Sequence, residues 1–146
     1  MCDEYMIVNT RDLPEYRVPK PYERSMRVVL DPRLSNYDKA TVLSVTIEPG
    51  STTGLHQHTS DEIIYVVSGK GTSVLVDGDK TTESEVREGY LVLARAGVKH
   101  EMRNTSSEPL KLHCVFIPPL PVEGYFAEAL KAATSRSQAI AREKTS

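Results

Sequence analysis

The sequence predicts an all-β protein, a sandwich or barrel of seven or eight short strands. Apolar and polar residues alternate in several short segments, as they do in strands with one buried face. Glycine, proline and aspartate separate these segments at regular intervals, and Asp77-Gly78 joins two extended segments. An Asp-Gly pair in that position is typical of a β-hairpin, and such a rhythm of strands and turns indicates a sandwich or barrel.

Residues 1–21 form the first unit, which we expect to be an extended N-terminal arm. Pro14, Pro19 and Pro21 interrupt it, and proline limits regular hydrogen bonding. A strand is predicted next over residues 24–30, with Met26, Val28 and Leu30 on one face.

The central strands are predicted from alternation and from turns. In residues 40–48, Leu43, Val45 and Ile47 alternate with polar residues, and Pro49-Gly50 ends the strand. The remaining predicted strands cover residues 63–67, 72–76, 80–86, 90–94, 98–104 and 110–117.

The C-terminal part differs in character. We assign residues 22–120 to the barrel and residues 121–146 to a short helix with a frayed tail. Residues 125–133 are rich in helix-forming types, whereas the residues from 134 onward are polar.

Length and composition indicate one domain and exclude several classes of protein. The chain has 146 residues, of which 39% are hydrophobic, and a formal charge of -2. This charge gives no reason to expect nucleic acid or a membrane surface as partner. No apolar segment approaches the roughly 20 residues of a membrane helix, and the N-terminus lacks a signal-peptide profile. Cys2 and Cys114 do not suggest a disulfide, so we expect a cytoplasmic protein.

A histidine-rich segment supplies the main functional signal. His56 and His58 are two residues apart, so in a strand they would project from the same face, about 7 Å apart. Glu62 follows after a polar break, and His100 follows the Ala96-Gly97 turn. Three imidazoles and one carboxylate are typical metal ligands. We therefore predict that His56, His58, Glu62 and His100 bind a metal ion.

The spacing of these residues resembles the two sequence motifs of the cupin family. The first motif matches at Gly50, His56, His58, Glu62 and Gly69. The second matches at Gly89, Gly97, His100 and Asn104, with Arg95 where the family usually has proline. The resemblance implies a small single-domain cupin with a jelly-roll β-barrel, and it implies a homodimer. The N-terminal arm is the candidate for adding a strand to the partner's sheet.

The donor set narrows the metal without identifying it. Three nitrogens and one oxygen suit an octahedral ion with two open positions, hence Fe, Mn, Ni or Co. Zinc is also possible because it binds nitrogen-rich sites tightly. Open positions would let the ion polarise a substrate or bind dioxygen.

Strand parity adds candidates for substrate binding. Ile64 and Val66 share a face with Glu62, while Met102 and Asn104 share one with His100. The alternative is core packing for the aliphatic residues and a turn role for Asn104.

Charged candidates are weaker. Arg95 could hold a carboxylate or phosphate through its planar fork, or it is a solvated turn residue. Arg24 and Arg27 on the first barrel strand could bind an anionic substrate. Glu62 could accept a proton. His113 is an acid/base candidate only if it faces the pocket, and the apolar residues at even positions of its strand favour the outward orientation.

Two functions of different classes fit these residues. One is a metal-dependent enzyme acting on a small oxygenated metabolite, through isomerase, lyase or dioxygenase chemistry. The other is a module that binds or senses a small molecule without turnover. Cupin motifs leave the substrate to other side chains, so the sequence predicts no particular reaction.

Overall fold

Nine strands and a C-terminal helix make up the part of the chain described by the structure, a computed structural model of residues 5–145 with side chains for residues 5–134. The helix α1 covers Gly124–Thr145. The strands are β1 Tyr16–Val18, β2 Arg24–Leu30, β3 Thr41–Ile47, β4 Asp61–Ser68, β5 Lys70–Asp77, β6 Lys80–Arg87, β7 Leu91–Ala94, β8 Lys99–Arg103 and β9 Leu110–Ile117.

The strands form two antiparallel sheets. One has six strands in the order β1-β2-β3-β9-β4-β7, and the other has three in the order β6-β5-β8. The all-β jelly-roll architecture is confirmed, although the two sheets do not close into a continuous hydrogen-bonded barrel. Apolar residues from both sheets form one buried core.

Strand β3 shows why the sequence folds in this way. Leu43, Val45 and Ile47 are 3%, 5% and 0% exposed, which confirms the predicted alternation. Their neighbours on β9 are Cys114, Leu112 and Leu110. Both strands therefore present an apolar face to the same side of the six-stranded sheet.

Alternate side chains of β2 point either into the core or toward the N-terminal arm. Met26 and Val28 face the core, and Arg24 shares their face. Arg27 faces the N-terminal arm, where its Nε donates a hydrogen bond to the Leu13 carbonyl at 3.0 Å. The pairing with β3 shifts after Val28, so the expectation that Leu30 continues the inward face is wrong.

The arm takes part in the same chain's sheet. Strand β1 pairs with β2 and forms one edge of the six-stranded sheet. Val18 is 3% exposed and belongs to the hydrophobic core. The arm therefore includes a short structural strand.

The histidine segment is not the strand that the sequence predicts. Between β3 and β4, only isolated bridges pair Thr52 with Arg103 and His56 with His100. Gly50 and Gly54 have φ values of 77° and 76°, which interrupt an extended strand. The prediction of strand geometry for His56 and His58 is therefore wrong, and β4 begins only at Asp61.

The C-terminal helix is confirmed, and it ends at Thr145 rather than near residue 133. Its buried residues Phe126, Ala129 and Ala133 belong to the core, and its contacts lie on β1 and β2. The side chains of the predicted frayed tail beyond residue 134, and Cys2, lie outside the described residues. No helix in the described part of the chain is long and apolar enough to cross a membrane.

Candidate metal centre

The four predicted metal ligands converge at one point between the two sheets. One donor atom from each of His56, His58, Glu62 and His100 lies within 4.8 Å of the others. His56 and His58 come from the segment before β4, Glu62 from β4 and His100 from β8. The backbones of His56 and His100 exchange hydrogen bonds of 3.0 and 2.7 Å. This pairing brings two distant parts of the sequence together. It holds the His56 segment in place although that segment is not part of a strand.

Backbone carbonyls orient two of the imidazole rings. The Nδ1 atom of His56 lies 2.7 Å from the Gly54 carbonyl oxygen, and Nδ1 of His100 lies 3.0 Å from the Val98 carbonyl oxygen. A carbonyl oxygen only accepts, so each Nδ1 carries the hydrogen. The remaining nitrogen, Nε2, can bind a cation when it carries no hydrogen, as in many histidine metal sites.

Electrostatics in the cluster depend on Glu62. Its Oε1 atom lies 2.7 Å from Nε2 of His100 and 3.5 Å from Nε2 of His58. Burial raises the pKa of Glu62, but hydrogen bonds from His100 and His58 outweigh it and lower the pKa to about 2. Burial lowers the pKa of His100, whereas its hydrogen bond to Glu62 raises it, and the net change is upward. Burial lowers the pKa of His56 to about 4.

These features fit a divalent cation. Because Nδ1 of His100 already carries a hydrogen, the 2.7 Å contact between its Nε2 and Glu62 Oε1 requires either a second proton on the ring or a cation bound to both atoms. Two ligand atoms each about 2.1 Å from an ion are at most about 4.2 Å apart. The observed spread of 4.8 Å therefore requires only a small contraction. The donor set suits the first-row divalent ions named above.

The cluster lies on the wall of a cavity of about 860 Å³. The cavity is lined mainly by apolar side chains. Ile64 of the six-stranded sheet and Met102 of the three-stranded sheet are among them. Val66 is fully buried in the core and does not line the cavity.

Asn104 has a turn role. Its Nδ2 atom donates to the carbonyl oxygens of Ile47 and Glu108 at 2.9 and 2.8 Å. Its Oδ1 atom accepts from the backbone and the hydroxyl of Ser106. All of its polar groups are thus used within the protein, and it does not line the cavity.

The other charged candidates face away from the cavity. Arg95 is exposed, whereas the next two residues of its turn reach the cavity. Arg27 pairs with Glu15 of the arm at 3.3 Å. His113 lies on the opposite face of β9 from the buried residues Leu112 and Cys114, which is the orientation that the sequence favours.

Arg24 is the charged residue of β2 that does line the cavity. It is 9% exposed, and its Nη1 donates to the Tyr22 carbonyl at 3.0 Å. Its guanidinium lies 5.6 Å from the centre of the Tyr125 ring. Burial lowers the pKa of Arg24, and the charges of Tyr125, Cys114 and Glu62 partly oppose this change.

The even positions of β9, which the sequence favours as the inward face, include two further lining residues, Cys114 and Phe116. Burial, followed by the charge of Glu62, raises the pKa of the Cys114 thiol well above its ordinary value. The start of α1, including Tyr125 and Phe126, also lines the cavity, and no pattern in the sequence indicates that contact.

A buried polar network holds the segment that precedes α1. Thr41 Oγ1 donates to Asp31 at 2.7 Å and accepts from the backbone N–H of Leu120 at 3.1 Å. Arg33 donates to the Leu120 carbonyl oxygen at 2.7 Å and pairs with Asp31 at 2.8 Å. Leu120 lines the cavity, so this network, called here the Asp31 network, fixes part of the cavity wall.

Comparison with known proteins agrees with the fold. The family model described as "Cupin domain" (Cupin_2) matches residues 43–116. Uncharacterized protein MJ1618 from Methanocaldococcus jannaschii is 33% identical over 110 residues, covering 72% of this chain and 85% of its own. Uncharacterized protein SCO3923 from Streptomyces coelicolor is 36% identical over 73 residues, covering 50% of this chain and 65% of its own.

Solved structures agree on the fold. A predicted oxalate decarboxylase from Thermotoga maritima has a TM-score of 0.66 at 24% identity, covering 77% of this chain and 99% of its own. BH2720 from Bacillus halodurans has a TM-score of 0.55 at 32% identity, covering 60% and 68%. The two sheets and the His-His-Glu-His cluster define a jelly-roll protein able to hold a metal ion. This chain belongs to the cupin family.

Proposed function

We propose that this cupin binds one divalent metal ion through His56, His58, Glu62 and His100 and acts as an enzyme on a small oxygenated metabolite. The observation that supports it is the convergence of the four donors on the wall of a largely apolar cavity. A site of this kind can hold a small organic molecule beside the ion. Fe, Mn, Ni and Co are the favoured ions, with zinc as a further candidate.

The chemistry proposed is isomerase or lyase chemistry, or dioxygenase chemistry. A bound ion would supply Lewis acidity toward a ligand oxygen. His56 and His100 would hold the ion through their carbonyl-oriented rings. Glu62 is ionised and lies at the cavity wall, so one of its oxygens can accept a proton from a ligand. The apolar side chains exclude water from the ligand's carbon skeleton.

A binding or sensing module is the second candidate, and the lining of the cavity supports it. Among the described residues that line the cavity, Glu62 is the only buried carboxylate. The thiol of Cys114 stays protonated because its pKa is raised. A site with so few acid/base groups suits retention of a ligand as well as its conversion.

A homodimer through the N-terminal arm is also part of the proposal. Tyr5 and Ile7 in the arm are 79% and 92% exposed, so packing of the arm on a partner would bury apolar surface. Strand β1, at the edge of the six-stranded sheet, offers unpaired backbone groups to a partner's strand. Deletion of residues 1–9 should convert a dimer into a monomer in light scattering. A cytoplasmic location remains a prediction from the sequence.

Metal analysis tests the core of the proposal. We expect protein purified without added metal to contain close to one transition-metal ion per chain. His58→Ala should reduce metal affinity at least tenfold, because it removes a ligand. His113→Ala is the matched control, since it removes the remaining histidine from the outer face of β9. Equal metal affinity of both variants would contradict the site.

Activity assays separate the candidate functions. Protein loaded with Fe(II), Mn(II) or Ni(II) would be assayed against diketone, phenolic and keto-acid substrates while oxygen uptake is recorded. Turnover with oxygen uptake identifies a dioxygenase, and turnover without it an isomerase or lyase. A ligand-induced rise in melting temperature without turnover favours the binding module.

A further inference from the structure

We propose that Arg24 binds a carboxylate group of the ligand, so that the cavity accepts small organic acids. This inference rests on the proposed metal-dependent function, because it assigns the substrate class of the same cavity. Arg24 lies on β2, outside the segment that carries the metal ligands, and is a second anchoring point for the ligand.

The first observation is a buried cation with unused hydrogen-bonding capacity. Arg24 is 9% exposed and its guanidinium has five N–H donors. Its hydrogen bond goes to the Tyr22 carbonyl oxygen, and no described carboxylate forms an ion pair with it. A buried charge without an anionic partner is costly. An anion entering the cavity would supply that partner.

The second observation is the contrast between Arg24 and Arg27, the two arginines of β2. Arg27, on the opposite face of β2, is engaged by Glu15, Ser25 and the Leu13 carbonyl oxygen. Its contacts are those of an arginine that stabilises the protein. Arg24 instead faces the cavity, with the Tyr125 ring beside its guanidinium, and this packing holds it in place for an incoming ligand.

The charge of the cavity favours the same class of ligand. With neutral histidines, a divalent ion and Arg24 exceed the single negative charge of Glu62. Glu123 also lines the cavity, but it is exposed to solvent, which screens its charge. The interior is therefore positive when the ion is bound and attracts an anion.

A carboxylate fits better than a phosphate. The planar fork of arginine matches a carboxylate through two parallel hydrogen bonds. No lysine and no second arginine is present among the described lining residues, and the walls are mainly apolar. Such walls suit the carbon skeleton of an organic acid, whereas inorganic phosphate has no apolar part to bury.

The test compares Arg24→Met, Arg24→Lys and the control Arg17→Met. Arg17 is an exposed arginine on β1 whose side chain pairs with Glu48. Removing the Arg24 charge should not unfold the protein, because apolar replacement of a buried charge is often neutral. Thermal melting verifies this for each variant. The probes are lactate and benzoate, their neutral amides lactamide and benzamide, and inorganic phosphate, titrated by calorimetry into metal-loaded and metal-free protein.

We expect wild-type protein to bind at least one acid at least tenfold more tightly than its amide. Arg24→Met should weaken acid binding about 10- to 100-fold and leave amide binding unchanged. Arg24→Lys should retain part of the affinity, because it keeps the charge but loses the fork. Arg17→Met should behave as wild type.

Three results would overturn the inference: equal binding of acid and amide, unchanged acid binding in Arg24→Met, or no binding of either acid. Tighter binding of phosphate than of both acids would overturn the carboxylate assignment. Metal affinity is measured on the same samples by chelator competition. Failure of metal binding with Arg24-dependent acid binding in metal-free protein would reject the proposed metal-dependent function and keep this inference.

Discussion

Replacing Glu62 by glutamine should destabilise the metal-free protein at neutral pH. The pKa of this carboxyl group falls from an ordinary value of 4.5 to about 2. That displacement corresponds to about 3 kcal/mol by which folding favours the ionised form over the neutral one. Glutamine resembles the neutral form in shape. Glu62→Gln should therefore lower the free energy of unfolding by about 3 kcal/mol at pH 7 and the melting temperature by roughly 10 °C.

The pH dependence of this difference has a defined sign. The folded-state pKa is depressed, so the stabilisation is complete above pH 4.5 and is lost as the pH falls through about 2. From pH 7 to pH 5 the difference between wild type and variant should not decrease, because the hydrogen bond to Glu62 raises the pKa of His100 in the wild type only. From pH 5 to pH 3 it should fall by roughly half as the Glu62 carboxylate begins to protonate. Burial lowers the pKa of His56 to about 4, which costs stability as the pH falls from 6.5 to 4, and this stability remains lost below pH 4. His56 is present in both proteins, so this effect largely cancels.

Urea unfolding of chelator-treated protein between pH 3 and pH 7 measures this difference. Glu85→Gln, on the exposed strand β6, is the control and should change the free energy of unfolding by less than about 0.5 kcal/mol. The reasoning would be refuted if Glu62→Gln were as stable as wild type at pH 7, or if its deficit did not decrease toward pH 3.

Three further predictions concern metal affinity and the scaffold. Because the pKa of His100 is raised, a proton competes with the metal ion for this imidazole. Chelator competition should therefore show weaker metal binding at pH 6 than at pH 8. Equal affinity at the two pH values would contradict the role of His100 as a ligand. Thr41→Val removes a hydroxyl of the Asp31 network and should lower the free energy of unfolding in urea by about 1–3 kcal/mol. Thr46→Val, on the other face of β3, should lower it by less. Equal decreases would argue against a stabilising role of the network. Gly69→Ala places a methyl group 2.5 Å from a carbonyl oxygen at a φ of 91°, so its melting temperature should fall further than that of Gly78→Ala, whose φ is 62° with open space around it. Similar melting temperatures would show that close packing at residue 69 does not matter.

Local patterns were sufficient for most of the fold and for the metal cluster. The alternation of Leu43, Val45 and Ile47 predicted β3 because burial on one face imposes a period of two. The spacing of the two motifs predicted which four donors meet. The four donors were identified correctly although the predicted strand geometry for His56 and His58 was wrong. These two residues lie in a loop that is held by an isolated bridge to His100. The convergence depends on pairing with His100, which the spacing encodes only indirectly.

The remainder depends on contacts between distant residues. Arg24 could have been preferred over Arg27 because it shares the parity of Met26 and Val28 on β2. The position of Tyr125 in the cavity could not be predicted, because composition indicates a helix but not the surface on which the helix packs. The pairing of β1 with β2 was missed for a different reason. Prolines on both sides of residues 16–18 interrupt the pattern by which a strand is recognised.

The family match covers residues 43–116 and contains all four metal donors, but Arg24 and the wall from Leu120 to the start of α1 lie outside it. The proposed metal binding and the proposed ligand selection thus depend on separate segments of the chain. A chain that ended at Pro119 would contain all four donor residues but would lack the residues from Leu120 onward that form one wall of the cavity. Under these proposals, relatives that share the two motifs but differ in these segments would bind the ion in the same way and select different ligands.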